Sequence, residues 1–126
     1  EFSKMLSIGG VADEIGVKPN VILRGLNQKM LPVIQKGLGI WRKYGQNLVI
    51  TSGLEGKHCK DSRHYVGLAL DLRSVNLAWN ARKIVRNELA LTLGPEFRVL
   101  LEKDHIHVEY NATQISDYFK QYATLD

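Results

Sequence analysis

The chain of 126 residues has little cysteine and no long apolar run. Its single cysteine, Cys59, excludes an internal disulfide and says little about the redox compartment. No run of about 18 apolar residues is present, which argues against a membrane-spanning helix. A positively charged segment followed by an apolar one, the mark of a secretion signal, is also missing. The sequence therefore predicts a protein made in the cytoplasm, without membrane insertion.

The chain has only a small excess of positive over negative side chains, and few aromatic residues. The 17 Lys and Arg against 13 Asp and Glu give a net charge of +4, a moderate excess that favours anionic polymers such as a cell wall carrying teichoic acid. Aromatic and basic residues form no shared stripe and no DNA-binding motif, so no nucleic-acid partner is expected. The length and the 44% hydrophobic content fit one domain over residues 1–126, expected to be monomeric.

Two short segments carry titratable side chains in a pattern typical of a metal site. Residues 62–71 read SRHYVGLALD, and residues 104–107 read DHIH. A catalytic zinc needs three ligands of the His and Asp/Glu type and an open position for water, whose pKa the metal lowers to about 7. His64, Asp71 and His107 could fill those three positions. A lone His-x-His is weak by itself, because such histidines are often ordinary, but the two segments together indicate a metallohydrolase.

Alternation along the chain predicts that these side chains share a surface. Over residues 66–72 the leucines at positions 68, 70 and 72 alternate with smaller or polar residues, so they are expected in the core and Asp71 on the opposite face, with Gly67 and Ala69. Over residues 105–110 the same period of two puts His105 and His107 on one face. Both strands therefore present polar groups from a common side.

Hydrolysis also needs a carboxylate that takes a proton from the attacking water and passes it to the leaving amine. Asp104 is the predicted base, because residues 97–101 and 105–110 look like a hairpin whose turn contains it. His105 could hydrogen-bond the developing oxyanion, a contribution of about 2 to 4 kcal/mol, or could only brace the metal shell.

The sequence does not assign a single role to four other side chains near these segments. Ser62 and Glu109 could orient the ligand imidazoles, since metal-bound histidines usually need an acceptor for their second nitrogen, or could be ordinary residues at strand ends. Cys59 and the adjacent His58 could compete for zinc. A free loop cysteine and a solvent-facing histidine are the simpler interpretation, so neither is placed in the ligand set.

The pattern Ser-x-His-x-x-Gly-x-Ala-x-Asp over residues 62–71, followed roughly thirty residues later by His-x-His, resembles a family of zinc peptidases. That family includes D-alanyl-D-alanine carboxypeptidases and dipeptidases, phage L-alanyl-D-glutamate endolysins and Hedgehog-type domains. The resemblance implies Zn²⁺ bound by His64, Asp71 and His107, with Asp104 as the catalytic base. It also implies an α+β fold in which a small antiparallel sheet carries the zinc site and packs against helices.

The resemblance covers about residues 20–110, including a strand over residues 48–53, and implies a peptidoglycan stem peptide as the substrate. An Asp at the base position is more typical of the L-alanyl-D-glutamate peptidases, since the D-alanyl-D-alanine enzymes more often carry Glu. An endolysin-like endopeptidase acting on the cell wall, of phage or bacterial origin, is therefore expected. A D-alanyl-D-alanine carboxypeptidase, a non-catalytic Hedgehog-like zinc module and a non-enzymatic basic surface protein stay open.

One departure from the family concerns substrate binding. Relatives usually follow Ser-Gly with an aromatic residue and an arginine that holds the substrate or the oxyanion, whereas this chain has Leu54 and Glu55 there. Lys57, Lys60 or Arg63, all in the following loop, could supply the missing positive charge.

Helical periodicity predicts the elements before the site. A short amphipathic helix is expected over residues 9–16, and a longer one over residues 21–44 with Asn20 as its N-cap. Pro32 either kinks that helix or opens a second one at its first turn, and Gly45 ends it.

The elements around and after the site follow the same reasoning. A strand is expected over residues 47–52, then a polar loop to residue 63. Ser74 or Asn76 is expected to cap a helix running to about Thr92. Aromatic residues at helical spacing near the C-terminus predict a last amphipathic helix over residues 115–122.

Overall fold

Six strands and two helices make up the fold of the computed structural model, which describes residues 2–8, 11–56 and 62–111. The predicted helix over residues 115–122 and the loop residues Lys57, His58, Cys59 and Lys60 lie outside this range. The elements in chain order are β1 (Phe2–Ile8), β2 (Val11–Val17), α1 (Leu31–Lys43), β3 (Val49–Ser52), β4 (Ala69–Arg73), α2 (Trp79–Leu93), β5 (Phe97–Leu101) and β6 (His105–Tyr110).

The strands form one sheet in the order β1-β2-β3-β4-β6-β5. The predicted α+β class is confirmed, but the predicted antiparallel sheet is wrong, because β2 and β3 run parallel, with Gly16 paired to Val49. Parallel neighbours need a long crossover, and the chain between β2 and β3 contains α1, which supplies it. The sheet is therefore mixed, and the four strands from β3 to β5 that surround the predicted site are antiparallel.

The predicted helix over residues 9–16 is also wrong, because residues 11–17 form strand β2. The buried residues Ile15 and Val17 show the reason, since they stand two positions apart and enter the core on one face of the sheet. A segment this short fits a helical and a strand period almost equally well, and pairing with β3 selects the strand.

The predicted helix over residues 21–44 begins later than expected, at Leu31. Asn20 is not its N-cap but adopts a left-handed backbone conformation, with φ of 71°. Asn27 instead caps a 3₁₀ turn at Gln28–Met30, where its side chain accepts from the Lys29 N–H. Pro32 stands in the first turn of α1, where its missing N–H costs nothing, so the second of the two predicted alternatives is confirmed.

Both helices pack on the sheet through the apolar stripes that periodicity predicts. From α1 the fully buried residues include Val33 and Trp41, and the Trp41 indole N–H donates to the Arg73 carbonyl at the end of β4, at 3.1 Å. From α2 the buried residues are Ala81, Val85 and Leu89. The N-cap of α2 is Ala78, without a side-chain hydrogen bond, so the predicted caps Ser74 and Asn76 are wrong.

The hairpin over residues 97–110 is confirmed with the predicted bounds, and Asp104 lies in its turn. Strand β3 is also confirmed, within two residues of its predicted start. Among the described residues no helix has the length and apolar content needed to cross a membrane.

Candidate metal centre

Strands β4 and β6 bring together Asp71 and His107, two members of the predicted ligand set that lie 36 positions apart in the sequence. Their antiparallel register pairs Asp71 directly with His107, and pairs Arg73 with His105. Residues directly opposite in an antiparallel pair point to the same face, with Cβ atoms about 5 Å apart. The alternate residues Leu70 and Leu72 are fully buried in the core, as predicted. The polar face of the sheet centre is therefore built by strand pairing.

His64 reaches this face from a turn rather than from a strand. The predicted strand over residues 66–72 begins only at Ala69, because Arg63–Val66 form a 3₁₀ turn. The Ser62 hydroxyl accepts from the His64 backbone N–H at 3.2 Å and so caps this turn. Ser62 thus holds the backbone of His64, which is neither of the two roles that the sequence left open for it. His64 is 2% exposed, so the turn directs its side chain inward.

Gly67 ends that turn in a conformation that only glycine adopts easily. Its φ is 71°, and a Cβ there would lie 2.3 Å from the carbonyl oxygen of Gly25. Its own carbonyl accepts from the Asn27 N–H at 2.9 Å. The close approach lets the segment before α1 support the loop that carries His64.

Gly67→Ala is expected to lower the free energy of unfolding by about 2 kcal/mol or more, because a left-handed conformation and a backbone clash both oppose the new methyl group. Gly39→Ala is the matched control, since a Cβ at this exposed position of α1 would meet nothing within 4 Å and should stabilise the helix by about 0.5 to 1 kcal/mol. Urea denaturation measures both. Equal effects of the two substitutions would contradict the role of Gly67.

Three ligand atoms converge at the centre of the polar face. Asp71 Oδ1 lies 3.2 Å from His64 Nε2 and 2.9 Å from His107 Nδ1, and these two nitrogens are 3.3 Å apart. Tetrahedral zinc with bonds of about 2.0 to 2.2 Å separates its ligand atoms by about 3.3 Å. His64, Asp71 and His107 could therefore hold a metal ion with little rearrangement.

The outer nitrogens of both histidines are held by acceptors. His64 Nδ1 lies 2.7 Å from the Gly53 carbonyl oxygen, and His107 Nε2 lies 2.9 Å from Glu109 Oε1. Because a carbonyl and a carboxylate only accept, these ring nitrogens carry the protons. In the neutral imidazoles the lone pairs of His64 Nε2 and His107 Nδ1 then point to the shared centre. Such outer-shell acceptors are typical of metal-bound histidines.

The electrostatics of the centre favour a cation. Burial raises the pKa of Asp71, but hydrogen bonds from His107 and His64 outweigh it and hold the pKa well below its usual range. Burial also lowers the pKa of His107, yet its hydrogen bonds to Asp71 and Glu109 raise the pKa above the ordinary value. The carboxylates of Asp71 and Glu109 thus favour positive charge between the two imidazoles and Asp71. Either a proton or a metal ion can supply that charge.

A pH dependence follows from that competition. Metal binding requires His107 without its inner proton, and the raised pKa means that this proton binds at a higher pH than it would on an ordinary imidazole. Zinc affinity is therefore expected to fall by about tenfold per pH unit below the pKa of His107, while Asp71, whose pKa is lowered, stays ionised in that window. Zinc titration against a chromophoric chelator at several pH values measures this. An affinity that stays constant through the imidazole range would contradict it.

Glu55 fills the position where the family resemblance implies an arginine, and its carboxylate has a structural use. Oε1 accepts from the backbone N–H groups of Ile22 and Gly53, at 2.9 and 2.8 Å, and Oε2 accepts from the Ser52 hydroxyl at 2.9 Å. Burial raises its pKa, but these hydrogen bonds outweigh it and lower the pKa below the ordinary value. Glu55 thereby fixes Gly53, whose carbonyl orients His64.

Asp104 and His105 form a pair beside the ligand set. The Asp104 side chain is 71% exposed, and its Oδ1 accepts from His105 Nδ1 at 2.6 Å. His105 Nε2 lies 3.6 Å from the second carboxylate oxygen of Asp71. The hydrogen bond from His105 lowers the pKa of Asp104. Of the two predicted catalytic residues, His105 therefore stands next to Asp71, and Asp104 contacts His105.

A cavity of about 420 Å³ lies beside this pair and is lined by Asp71, Asp104 and His105. Lys18 and Arg73 also line it. Sequence reasoning missed both: Arg73 continues the alternation of Asp71 and could have been found from it, whereas Lys18 comes from a distant strand end. Of the predicted substitutes for the arginine, Arg63 donates to the Asn111 side chain at 3.4 Å, and the two lysines lie outside the described residues.

Comparisons with protein-family models, with curated proteins and with solved structures find nothing that matches this chain. The resemblance to zinc peptidases therefore depends on the motif residues of the sequence alone.

Proposed function

We propose that this chain is a zinc-dependent peptidase of peptidoglycan stem peptides, with the fold arrangement of the Hedgehog and D-alanyl-D-alanine peptidase group. Within that class, an L-alanyl-D-glutamate endopeptidase fits the Asp at the base position best. The cell wall would be its place of action. A D-alanyl-D-alanine carboxypeptidase would use the same centre with a different substrate pocket.

The observation that carries this proposal is the convergence of the three ligand atoms. His64 Nε2, Asp71 Oδ1 and His107 Nδ1 lie within 3.3 Å of one another, and both imidazoles are oriented by acceptors on their outer nitrogens. Two nitrogen ligands and one carboxylate oxygen suit zinc, which leaves the fourth position for chemistry.

Asp104 and His105 would have separate roles in the reaction. A zinc ion, when bound, polarises the scissile carbonyl and makes water acidic enough to react near neutral pH. The Asp104 carboxylate accepts the proton and returns it to the departing amine. His105 donates from Nδ1 to Asp104 at 2.6 Å, and in the imidazolium form its Nε2, which lies 3.6 Å from Asp71, would donate to developing negative charge.

The experiment that tests the function uses purified peptidoglycan and the zinc-loaded protein. Mass spectrometry of the released muropeptides should show new ends at the L-alanyl-D-glutamate bond. Products lacking a terminal D-alanine would instead identify a carboxypeptidase. Intact cell wall after prolonged incubation with a protein of full zinc content would contradict the peptidase function.

One observation favours a second candidate, a zinc-binding module without catalysis. Glu55 stands where an arginine is expected, and its carboxylate is committed to Ser52, Gly53 and Ile22. If no other cation holds the substrate, the centre would bind zinc without turnover. Stoichiometric zinc together with the absence of any cleaved product identifies this case.

A further inference from the structure

Two cations border the cavity beside Asp71. Lys18 and Arg73 line it together with the carboxylates of Asp71 and Asp104 and the imidazole of His105. Hydroxyl-bearing residues of β3, Thr51 and Ser52, complete the polar wall. A cavity that combines cations with hydroxyl groups next to a metal centre offers a place for an anionic part of a substrate.

The fold fixes the backbone positions of Lys18 and Arg73. Arg73 is the last residue of β4, two positions after Asp71 on the same face, and the Trp41 indole N–H donates to its carbonyl. Lys18 directly follows β2, and its backbone N–H donates to the Ile50 carbonyl at 3.0 Å. The two cations therefore approach the cavity from separate strands, each anchored through its backbone.

The charge of the cavity depends on the metal. Lys18 and Arg73 are balanced by Asp71 and Asp104 when no metal is bound. A divalent ion on Asp71 adds two positive charges, so the cavity becomes cationic only in the metal-loaded protein. An anionic substrate group is thus attracted to the form that can react with it.

Resting on the peptidase function proposed above, we propose that Lys18 and Arg73 form a subsite for the free carboxylate beside the scissile bond. An arginine can bind a carboxylate through two parallel hydrogen bonds, and a lysine adds a compact charge. In a stem peptide this group is the α-carboxylate of D-glutamate. Relatives usually carry a substrate-binding arginine at the position of Glu55, and the subsite would do the work of that arginine. It would bind a substrate with a free α-carboxylate in preference to one with an α-amide.

Isothermal titration calorimetry with two dipeptides tests this without requiring turnover. Zinc-loaded protein is expected to bind L-alanyl-D-glutamate at least about tenfold more tightly than L-alanyl-D-isoglutamine, as befits a charge-assisted hydrogen bond. Lys18→Met and Arg73→Met should each reduce the preference, and both together should remove it. Arg73→Lys keeps the charge and should retain part of it. Lys103→Met, an exposed cation of the 102–104 turn, is the matched control and should change nothing.

The outcomes separate the subsite from the peptidase function. Equal binding of the two dipeptides by the wild-type protein, or binding of neither, overturns the subsite. Cleavage of stem peptides without preference for the acid also overturns it and leaves the peptidase intact. Preference for the acid in a protein that cleaves nothing supports the subsite and overturns the peptidase.

Discussion

Asp104→Ala is expected to reduce hydrolysis of purified peptidoglycan by about 10²- to 10⁴-fold while leaving zinc bound. The size follows from the usual contribution of a general acid-base group. Zinc should stay because the Asp104 carboxylate is exposed and contacts His105, whereas the group that could hold the metal is His64, Asp71 and His107. Release of soluble muropeptides measures the rate, and atomic absorption measures the metal.

Glu102→Ala is the matched control, because Glu102 is an exposed carboxylate two residues away in the same turn. It should keep the wild-type rate. His105→Gln separates the role of His105 from that of Asp104. If this variant, which keeps Asp104, hydrolyses peptidoglycan more slowly, the Asp104 carboxylate does not act alone. Full activity of Asp104→Ala would remove this residue from the mechanism.

His64→Ala is expected to lose both zinc and hydrolysis. It removes one of three protein ligands, so its effect on metal affinity should exceed the about 10- to 100-fold that loss of an outer-shell partner costs. The imidazole is also buried against the Gly53 carbonyl, which would be left without its donor. Zinc titration and peptidoglycan hydrolysis are measured on the same preparation.

His58→Ala serves as the control for that substitution, because the sequence places His58 outside the ligand set, although it lies only six positions before His64. It should bind zinc like the wild type. A circular dichroism spectrum matching the wild type shows that His64→Ala remains folded. Unchanged zinc affinity in a folded His64→Ala protein would contradict the proposed ligand set.

The convergence of His64, Asp71 and His107 could be predicted in part because it depends on short-range patterns. Asp71 and His107 each lie in a strand whose alternation is visible, and antiparallel pairing of those strands makes their faces coincide. The hairpin that places Asp104 and His105 is local as well. Glu109, two positions after His107 in the same strand, could be predicted as an outer-shell partner for the same reason.

The support of His64 could not be predicted, because it depends on backbone groups from distant segments. The Gly53 carbonyl that accepts from His64 and the Gly25 carbonyl that packs on Gly67 leave no mark in side-chain patterns. Residues 21–27 show the same limit. Their apolar spacing fits a helix, but the Ile22 carbonyl accepts from Leu54 and the Asn27 N–H donates to Gly67, so tertiary hydrogen bonds replace helical ones.

Zinc-edge anomalous scattering from crystals of the wild-type protein grown with zinc tests the metal centre most directly. We expect one strong peak per chain, about 2.0 to 2.2 Å from His64 Nε2, Asp71 Oδ1 and His107 Nδ1, with a fourth position facing the cavity of Asp104 and His105. A protein that takes up no zinc, or a peak that none of these three side chains touches, would contradict the account.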